Sequence, residues 1–172
     1  MVSKNGTVRL VDVGIQNFEE LSDLLVLKSQ YDFVADNVYS LAEAYANTAD
    51  GRYAKPFGIY VGDEPVGFLM IGYDISDEDA DREKFPQLIN SYLIWRFMID
   101  KKYHGKGYGK EAMRLALDFI RTFPCGKADY CWLSYNPENE AARNLYRSFG
   151  FEEAPEMPEG WDEIPAVLKL SH

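Results

Sequence analysis

Three glycines alternate within a short loop that follows an apolar run from Tyr92 to Ile99. They are Gly105, Gly107 and Gly109. Because glycine carries no Cβ, such a loop lets the backbone approach a ligand closely. A helical pattern begins directly after the loop, and the N–H groups and dipole at the start of a helix favour an anion. Lys106 and Lys110 add full positive charges, so the loop predicts a site for a phosphate-bearing ligand.

Two common phosphate-binding motifs do not fit this loop. A P-loop requires Ser or Thr after its lysine, and Glu111 follows Lys110. The dinucleotide fingerprint needs its third glycine one residue later than Gly109. Neither a P-loop nucleotide site nor a Rossmann-type dinucleotide site is therefore predicted.

A second pattern lies further along the chain, on a predicted helix that Gly150 ends. Five residues share one face of it, namely Asn139, Ala142, Leu145, Tyr146 and Phe149. A tyrosine on such a face is either an ordinary core residue or a proton donor to a ligand. The periodicity leaves both readings of Tyr146 open.

The two patterns together resemble the GNAT N-acetyltransferases. The loop from His104 to Gly109 is similar to the family's acyl-CoA loop, Gln/Arg-x-x-Gly-x-Gly/Ala, with His104 at the first position. The run from Asn139 to Tyr146, followed by Gly150-Phe151, is similar to a second family pattern, Asn-x-x-Ala-x-x-Leu-Tyr-x-x-x-Gly-Phe. The resemblance covers residues 57–152 best. It implies an α/β fold with a mixed central sheet flanked by helices. The length of 172 residues predicts one domain that spans residues 1–172.

The resemblance implies acetyl-CoA as the cofactor, CoA as a product, and no metal. The residues implied to bind the cofactor are Phe97, Met98, Ile99, His104, Gly105, Lys106, Gly107, Tyr108, Gly109, Lys110, Asn139 and Tyr146. An N–H group of Met98 or Ile99 would stabilise charge on the carbonyl oxygen, and Tyr146 would act as the catalytic acid for the departing thiolate. These roles are expectations that come from the family.

The attacking group must be an amine in its free-base form. Because a primary amine has a pKa near ~10 in solution, the site has to remove a proton from it at neutral pH. A carboxylate could do so directly, or waters could lead the proton to solvent. The sequence does not choose between them.

Three stretches are similar to bacterial diamine and polyamine N-acetyltransferases, at residues 30–43, 55–60 and 95–100. The expected substrate residues are Tyr31, Asp32, Trp95, Arg96 and Tyr135, with Asp36 and the acidic stretch from Asp74 to Glu83 as further candidates. Such enzymes often carry an acid where Trp95 stands. An amino acid, a peptide or a protein amine therefore remains an alternative acceptor, and a non-catalytic CoA-binding module remains an alternative function.

The charge distribution fits a small anionic ligand rather than nucleic acid. The chain of 172 residues carries a net charge of −10, whereas nucleic-acid binding needs clustered Lys and Arg. Residues 96–114 nevertheless hold six basic side chains against two acidic ones, a local charge of +4. No apolar run is long enough for a membrane span, so we expect a cytoplasmic enzyme. The resemblance implies a small-molecule amine as its substrate. Homodimers are common in the family.

Hydrophobic periodicity and turn chemistry predict the remaining elements. Strands are expected at residues 8–13, 57–61, 66–73, 92–99, 129–135 and 166–170. Helices are expected after Asn17 with Leu21, Leu24 and Leu25 inside, after a capping box at residues 40–43, after the glycine loop, and after Asn136-Pro137. The predicted order is β-α-α-β-β-β-α-β-α-β.

Overall fold

The computed structural model describes residues 6–75, 83, 85–155 and 160–170. Most of the acidic stretch between Asp74 and Glu83 lies outside these residues. The helices are α1 (Phe18–Ser22), α2 (Asn37–Ala49), α3 (Tyr108–Ile120) and α4 (Glu140–Ser148). The strands are β1 (Val8–Asp12), β2 (Tyr53–Val61), β3 (Glu64–Tyr73), β4 (Tyr92–Ile99), β5 (Tyr130–Tyr135), β6 (Glu152–Glu153) and β7 (Ile164–Lys169).

The described strands form one mixed sheet in the order β1-β2-β3-β4-β5-β7-β6. Every neighbouring pair is antiparallel except β4 and β5, which are parallel. The predicted element order is confirmed, and the two-residue strand β6 is added where the sequence indicated only an extended stretch after Phe151. Pro165, expected in a loop, lies inside β7.

The predicted first helix is wrong beyond Ser22. Leu24 and Leu25 lie outside the helix, because the backbone of Leu25 forms hydrogen bonds with residues at the end of β4. Its N–H donates to the Asp100 carboxylate at 2.8 Å, and its carbonyl accepts from Lys101 N–H at 2.8 Å. These bonds tie the segment after α1 to the end of β4.

Two predicted helix starts are also wrong, each by about a turn. Helix α2 is capped by Asp36, whose carboxylate accepts from Tyr39 N–H at 2.7 Å, while Ser40 is buried within the helix. Helix α4 is capped by Asn139, whereas Asn136 accepts from Glu138 N–H in the preceding turn. Before α4, the Asn136 side chain closes a local turn, which competes with capping.

Apolar side chains pack on both faces of the sheet. One cluster lies between the sheet and α3, with Ala112, Met113, Ala116, Leu117 and Ile120 of that helix fully buried. The other face is covered by α2, where Ala44 packs against Phe68, Met70 and Met98. We call these the α3 side and the α2 side of the sheet.

Strands β4 and β5 part after a short shared length. They pair only at Tyr92 with Cys131 and at Leu93 with Trp132. Beyond Leu93 the edge of β4 that faces β5 has no strand partner among the described residues. Parallel pairing that stops in mid-sheet leaves backbone N–H and C=O groups free at a central position.

A β-bulge interrupts β4 where the two strands part. Met70 pairs with Arg96 and Ile71 with Ile94, so one residue of β4 is extra. Trp95 packs on the α2 side, and Arg96 forms an ion pair with Glu43 of α2. Strict alternation would place these two neighbours on opposite faces, and the bulge puts both on one.

Candidate active site

A cleft of about 810 Å³ opens where β4 and β5 part. It is lined by residues 93–99 of β4, the end of β5, the glycine loop and the first two turns of α4. Residues 30–35 and Glu163 complete its wall. The cleft passes through the sheet, because lining residues come from both the α2 side and the α3 side.

The backbone of β4 presents free donors to this cleft. Asp100 N–H donates to Val66 O at 2.8 Å, so Asp100 faces β3. Backbone groups of successive residues point to opposite edges, and Met98 therefore also faces β3, whereas Phe97 and Ile99 face the open edge. Of the two N–H donors expected from the sequence, the strand geometry favours Ile99.

The glycine loop is built to expose the start of α3. Gly105 and Gly107 have φ of +74° and +80°, and a Cβ on either would meet no atom within 4 Å. Gly107 is the residue before the helix and has no side chain to cap it. The first N–H of α3 bonded within the helix is that of Glu111, to Gly107 O at 3.3 Å. The preceding N–H groups can therefore receive an anion.

Two lysines and a histidine flank the loop. Lys106 Nζ lies over the ring of Tyr103, 5.1 Å from its centroid, and Lys110 is exposed on the first turn of α3. His104 Nε2 lies 2.9 Å from Ile99 O. A carbonyl oxygen only accepts, so Nε2 carries the proton and Nδ1 is the nitrogen left for a ligand. The N–H groups and lysines fit the phosphates of an acyl-CoA, and the role of His104 towards phosphate stays a prediction.

Tyr146 reaches the cleft from α4 on the α3 side. Its side chain is buried, and its ring lies 5.5 Å from the Tyr135 ring and 6.1 Å from the Phe151 ring, between centroids. Burial raises the pKa of Tyr146, and the nearby charges of Glu163 and Tyr135 raise it further. The hydroxyl therefore stays protonated at neutral pH, as a proton donor must.

Tyr135 is engaged by its own network. Its hydroxyl donates to Glu153, which also accepts from Arg143 Nε at 3.0 Å. The hydrogen bond from Tyr135, and then the charge of Arg143, lower the pKa of the Glu153 carboxyl. Tyr135 lines the cleft with its ring, and its expected contact with substrate stays a prediction.

Asn139 caps a helix, which was the alternative to ligand binding that the sequence left open. Its side-chain oxygen accepts from Ala142 N–H at 3.1 Å and caps α4. Asn139 also lines the cleft, so its side-chain NH₂ group is placed to meet a ligand. The two functions are compatible because the cap uses only the oxygen.

Arg96 and Trp95 lie together on the α2 side. Arg96 binds Glu43 at 2.7 Å and the Trp95 carbonyl at 3.0 Å, and its guanidinium lies 5.6 Å from the Trp95 ring centroid. The Nε atom of Arg96 is buried with no hydrogen-bond partner among the described residues. Tyr31 and Asp32 are exposed at the mouth of the same cleft. Asp36, in contrast, is the cap of α2.

Three residues of the α2 side were missed in the sequence. Trp132 and Ser134 alternate along β5 with residues of the α3 side, and Glu163 comes just before β7. Ser134 Oγ donates to the Glu163 carboxylate. The alternation of β5 was a signal for the first two, whereas nothing near Glu163 in the sequence resembles a motif.

The sequence profile of the Acetyltransferase (GNAT) family matches residues 18–151. The chain belongs to this family. The enzyme is therefore an acetyl-CoA-dependent N-acetyltransferase, which removes the alternative of a non-catalytic module. Its glycine loop and open β4 edge are the features of this GNAT chain that fit acetyl-CoA.

Relatives and solved structures agree with the assignment. A probable spermine N(1)-acetyltransferase of Bacillus subtilis subsp. natto is 29% identical over 150 residues, covering 85% of this chain and 88% of the relative. A spermine/spermidine N(1)-acetyltransferase of Bacillus subtilis is 28% identical with the same coverage. An aminoglycoside acetyltransferase solved with coenzyme A shares the fold with a TM-score of 0.74 and 16% identity, covering 95% of each chain.

The described residues contain neither a membrane-spanning helix nor a cluster of metal ligands. None of their helices combines the length and apolar character that a membrane crossing requires. Within the same residues, no three His, Cys, Asp or Glu side chains are grouped as metal ligands.

Proposed function

We propose that this GNAT enzyme acetylates a primary amine of a polyamine such as spermine or spermidine, by direct attack while both substrates are bound. The observation that carries the proposal is the wall of the cleft on the α2 side. Asp32 and Glu163 bring negative charges to it, and Trp95 and Trp132 bring ring faces. Carboxylates and aromatic rings are the groups that bind ammonium ions. The names of the two Bacillus relatives support the same choice.

The residues of the α3 side would hold acetyl-CoA, which supplies an activated acetyl group as its thioester. The first N–H groups of α3, with Lys106 and Lys110, would bind its phosphates, and Asn139 would bind nearby. The open edge of β4 would pair with its extended arm. We propose that Ile99 N–H donates to the carbonyl oxygen and that Tyr146 gives its proton to the departing sulfur.

A second acceptor class rests on Arg96. Its Nε–H is buried beside the cleft without a partner among the described residues, and such a donor is costly to leave unpaired. A carboxylate or carbonyl oxygen of an amino acid or peptide would satisfy it. This candidate keeps the same cofactor and the same acid, and it changes only the acceptor.

An acceptor panel tests the proposal. Release of CoA from acetyl-CoA is measured with spermine, spermidine, putrescine, a free amino acid, a short peptide and an aminoglycoside. We expect saturable turnover with spermine or spermidine, and the largest kcat/KM with these two amines. Higher kcat/KM with the amino acid or the peptide would overturn the polyamine assignment and favour the acceptor class that uses Arg96.

We further propose that residues 1–172 form one domain, that the enzyme is cytoplasmic, and that its acceptor is a small-molecule amine. Both cysteines, Cys125 and Cys131, are free thiols, which suits a reducing compartment. The net charge of −10 disfavours nucleic acid as a partner. The homodimer implied by the family stays a prediction.

A further inference from the structure

Glu163 occupies a defined place at the end of β5. The register of β5 and β7 pairs Tyr135 with Ile164 and Ser134 with Pro165. Glu163 therefore lies next to the last residue of β5, where β4 and β5 have already parted. Ser134 Oγ donates to its carboxylate, and the side chain is half-buried in the cleft wall.

The carboxylate lies on the α2 side of the sheet. Leu133 and Tyr135 pack on the α3 side, so Trp132 and Ser134, which alternate with them, face the opposite way. Trp132 packs instead with Leu93 and Trp161. The hydrogen bond from Ser134 then fixes Glu163 on the face where the amine is expected.

Trp132 gives an independent sign that this part of the cleft receives a ligand. Its side chain is only 6% exposed and lines the cleft, and its Nε1–H has no acceptor among the described residues. Buried donors are almost always paired. The Trp161 ring lies 6.0 Å from the Trp132 ring, between centroids, and Trp132 and Glu163 line the same cleft.

We propose that Glu163 is the catalytic base that takes the proton from the attacking ammonium group, with Ser134 as its positioning residue. Among the described residues that line the cleft, only Asp32 and Glu163 are carboxylates, and Arg96 and His104 are the basic side chains. Asp32 is exposed on a loop, whereas Glu163 is held by Ser134. Arg96 is paired with Glu43, and the free nitrogen of His104, Nδ1, is expected to face the phosphates.

Glu163 and Tyr146 approach the reacting atoms from opposite sides of the sheet. Both side chains line the same cleft. Burial raises the pKa of Tyr146, and the nearby negative charge of Glu163 raises it further. A base on the amine side and an acid on the sulfur side are what the reaction requires.

The proton and electron balance is as follows. The ammonium gives one proton to the Glu163 carboxylate, and the freed lone pair forms the C–N bond to the acetyl carbon while the C–S bond breaks. The departing sulfur takes the Tyr146 proton and becomes the CoA thiol. A second proton, lost from the amine nitrogen, restores the Tyr146 hydroxyl. Glu163 releases its own proton to solvent. The products are the acetamide, CoA and one proton.

The test compares Glu163→Gln, Glu163→Asp and the matched control Asp162→Asn, which removes the neighbouring exposed carboxylate. CoA release with spermine is followed as kcat and KM from pH 6 to pH 10, and acetyl-CoA binding is measured by calorimetry. At neutral pH we expect Glu163→Gln to lower kcat by about 100-fold or more and to leave acetyl-CoA affinity unchanged. The difference in kcat between Glu163→Gln and wild type should become smaller towards pH 10, because the amine is then already deprotonated in solution.

The remaining variants make the result decisive. Glu163→Asp should recover part of the lost kcat, and Asp162→Asn should behave as wild type. A Glu163→Gln enzyme with wild-type kcat, or with a loss that does not change with pH, would overturn the base assignment. The inference rests on the proposed function only in that an amine is the acceptor. If wild type acetylates another amine and not spermine, the polyamine proposal fails, and the same variants are compared with that amine.

Discussion

Tyr146 keeps its proton at pH values where an exposed tyrosine loses it. Burial is the main cause of its raised pKa, and the negative charge of Glu163 adds to it. A phenol donates a proton only while neutral, so a raised pKa extends its useful range upwards. The alkaline limb of the pH–rate profile set by this group should therefore lie above the ordinary tyrosine value near ~10.

The substitution Tyr146→Phe tests this role. We expect kcat to fall by about 100-fold or more, because the departing thiolate loses its acid, while the phenyl ring that remains should keep most of the acetyl-CoA affinity. The measurement is CoA release from pH 7 to pH 10, with equilibrium binding of acetyl-CoA.

Tyr92→Phe is the matched control, since Tyr92 is a buried tyrosine outside the cleft. Its hydroxyl donates to Gly126 O at 2.9 Å and accepts from Cys125 N–H at 2.9 Å. Its loss should lower the free energy of unfolding by about 1 kcal/mol or more without changing kcat. Equal kcat for Tyr146→Phe and wild type would exclude Tyr146 as the acid.

Sequence reasoning at the residue scale found what lies in a local pattern. Tyr146 and Asn139 share one helix face, and the resemblance to the family gave them their predicted roles. Glu163 was missed because its place depends on the pairing of β5 with β7, which brings it to Ser134 from 29 residues away. The role of Asn139 as a cap was left open because Asn136, three residues earlier, is an equally good cap by type.

At the scale of elements, the glycine loop acts through backbone conformation rather than packing. Gly107 has φ of +80° and open space where a Cβ would stand. A side chain there would meet no clash, but it would disfavour the left-handed conformation that starts α3. The direction of the first N–H groups of α3 depends on that one residue.

Gly107→Ala is predicted to weaken acetyl-CoA binding. Gly51→Ala is the control, because Gly51 has φ of +78° with no atom within 4 Å and lies in the turn after α2. Both changes should lower the free energy of unfolding by about 1–2 kcal/mol. Only Gly107→Ala should raise the Kd for acetyl-CoA, by about tenfold for each 1.4 kcal/mol of lost binding. Equal Kd values for the two variants would contradict the assignment of the loop.

Element types and order were predictable, whereas their ends were not. The strand–loop–helix unit from β4 to α3 follows from an apolar run and its glycines. The starts of α2 and α4 were misplaced because Asp36 competed with Ser40, and Asn139 with Asn136. The end of α1 could not be predicted from local sequence, since it depends on the bonds of Leu25 to Asp100 and Lys101.

At the scale of the whole molecule, basic residues are concentrated in one stretch of an acidic chain. Residues 96–114 carry a local charge of +4 in a chain of net charge −10. The basic region contains the loop expected to bind phosphates, and the acidic remainder should attract a polycation before it contacts the cleft. The positions of charged residues in the sequence predicted this distribution, whereas the parting of β4 and β5 required the assembled sheet.

Salt should weaken spermine recognition more than recognition of a single amine. Raising ionic strength from about 0.1 M to about 1 M shortens the screening length from about 10 Å to about 3 Å. We expect KM for spermine to rise more steeply than KM for propylamine over that range, because spermine carries several charges. Parallel salt dependences for the two amines would contradict a contribution from the net charge.

The bulge in β4 has a consequence for how this strand can change during evolution. Tyr92 and Ile94 lie on the α3 side, as do Phe97 and Ile99, and only the extra residue between the two pairs allows this. Deleting one residue there would turn one pair out of the core. Point substitutions can replace Trp95 or Arg96 singly. The two positions would cease to lie on the same face only after an insertion or deletion, and that change would also disrupt the core. The strand should therefore vary in the chemistry of its two cleft residues while its length stays fixed.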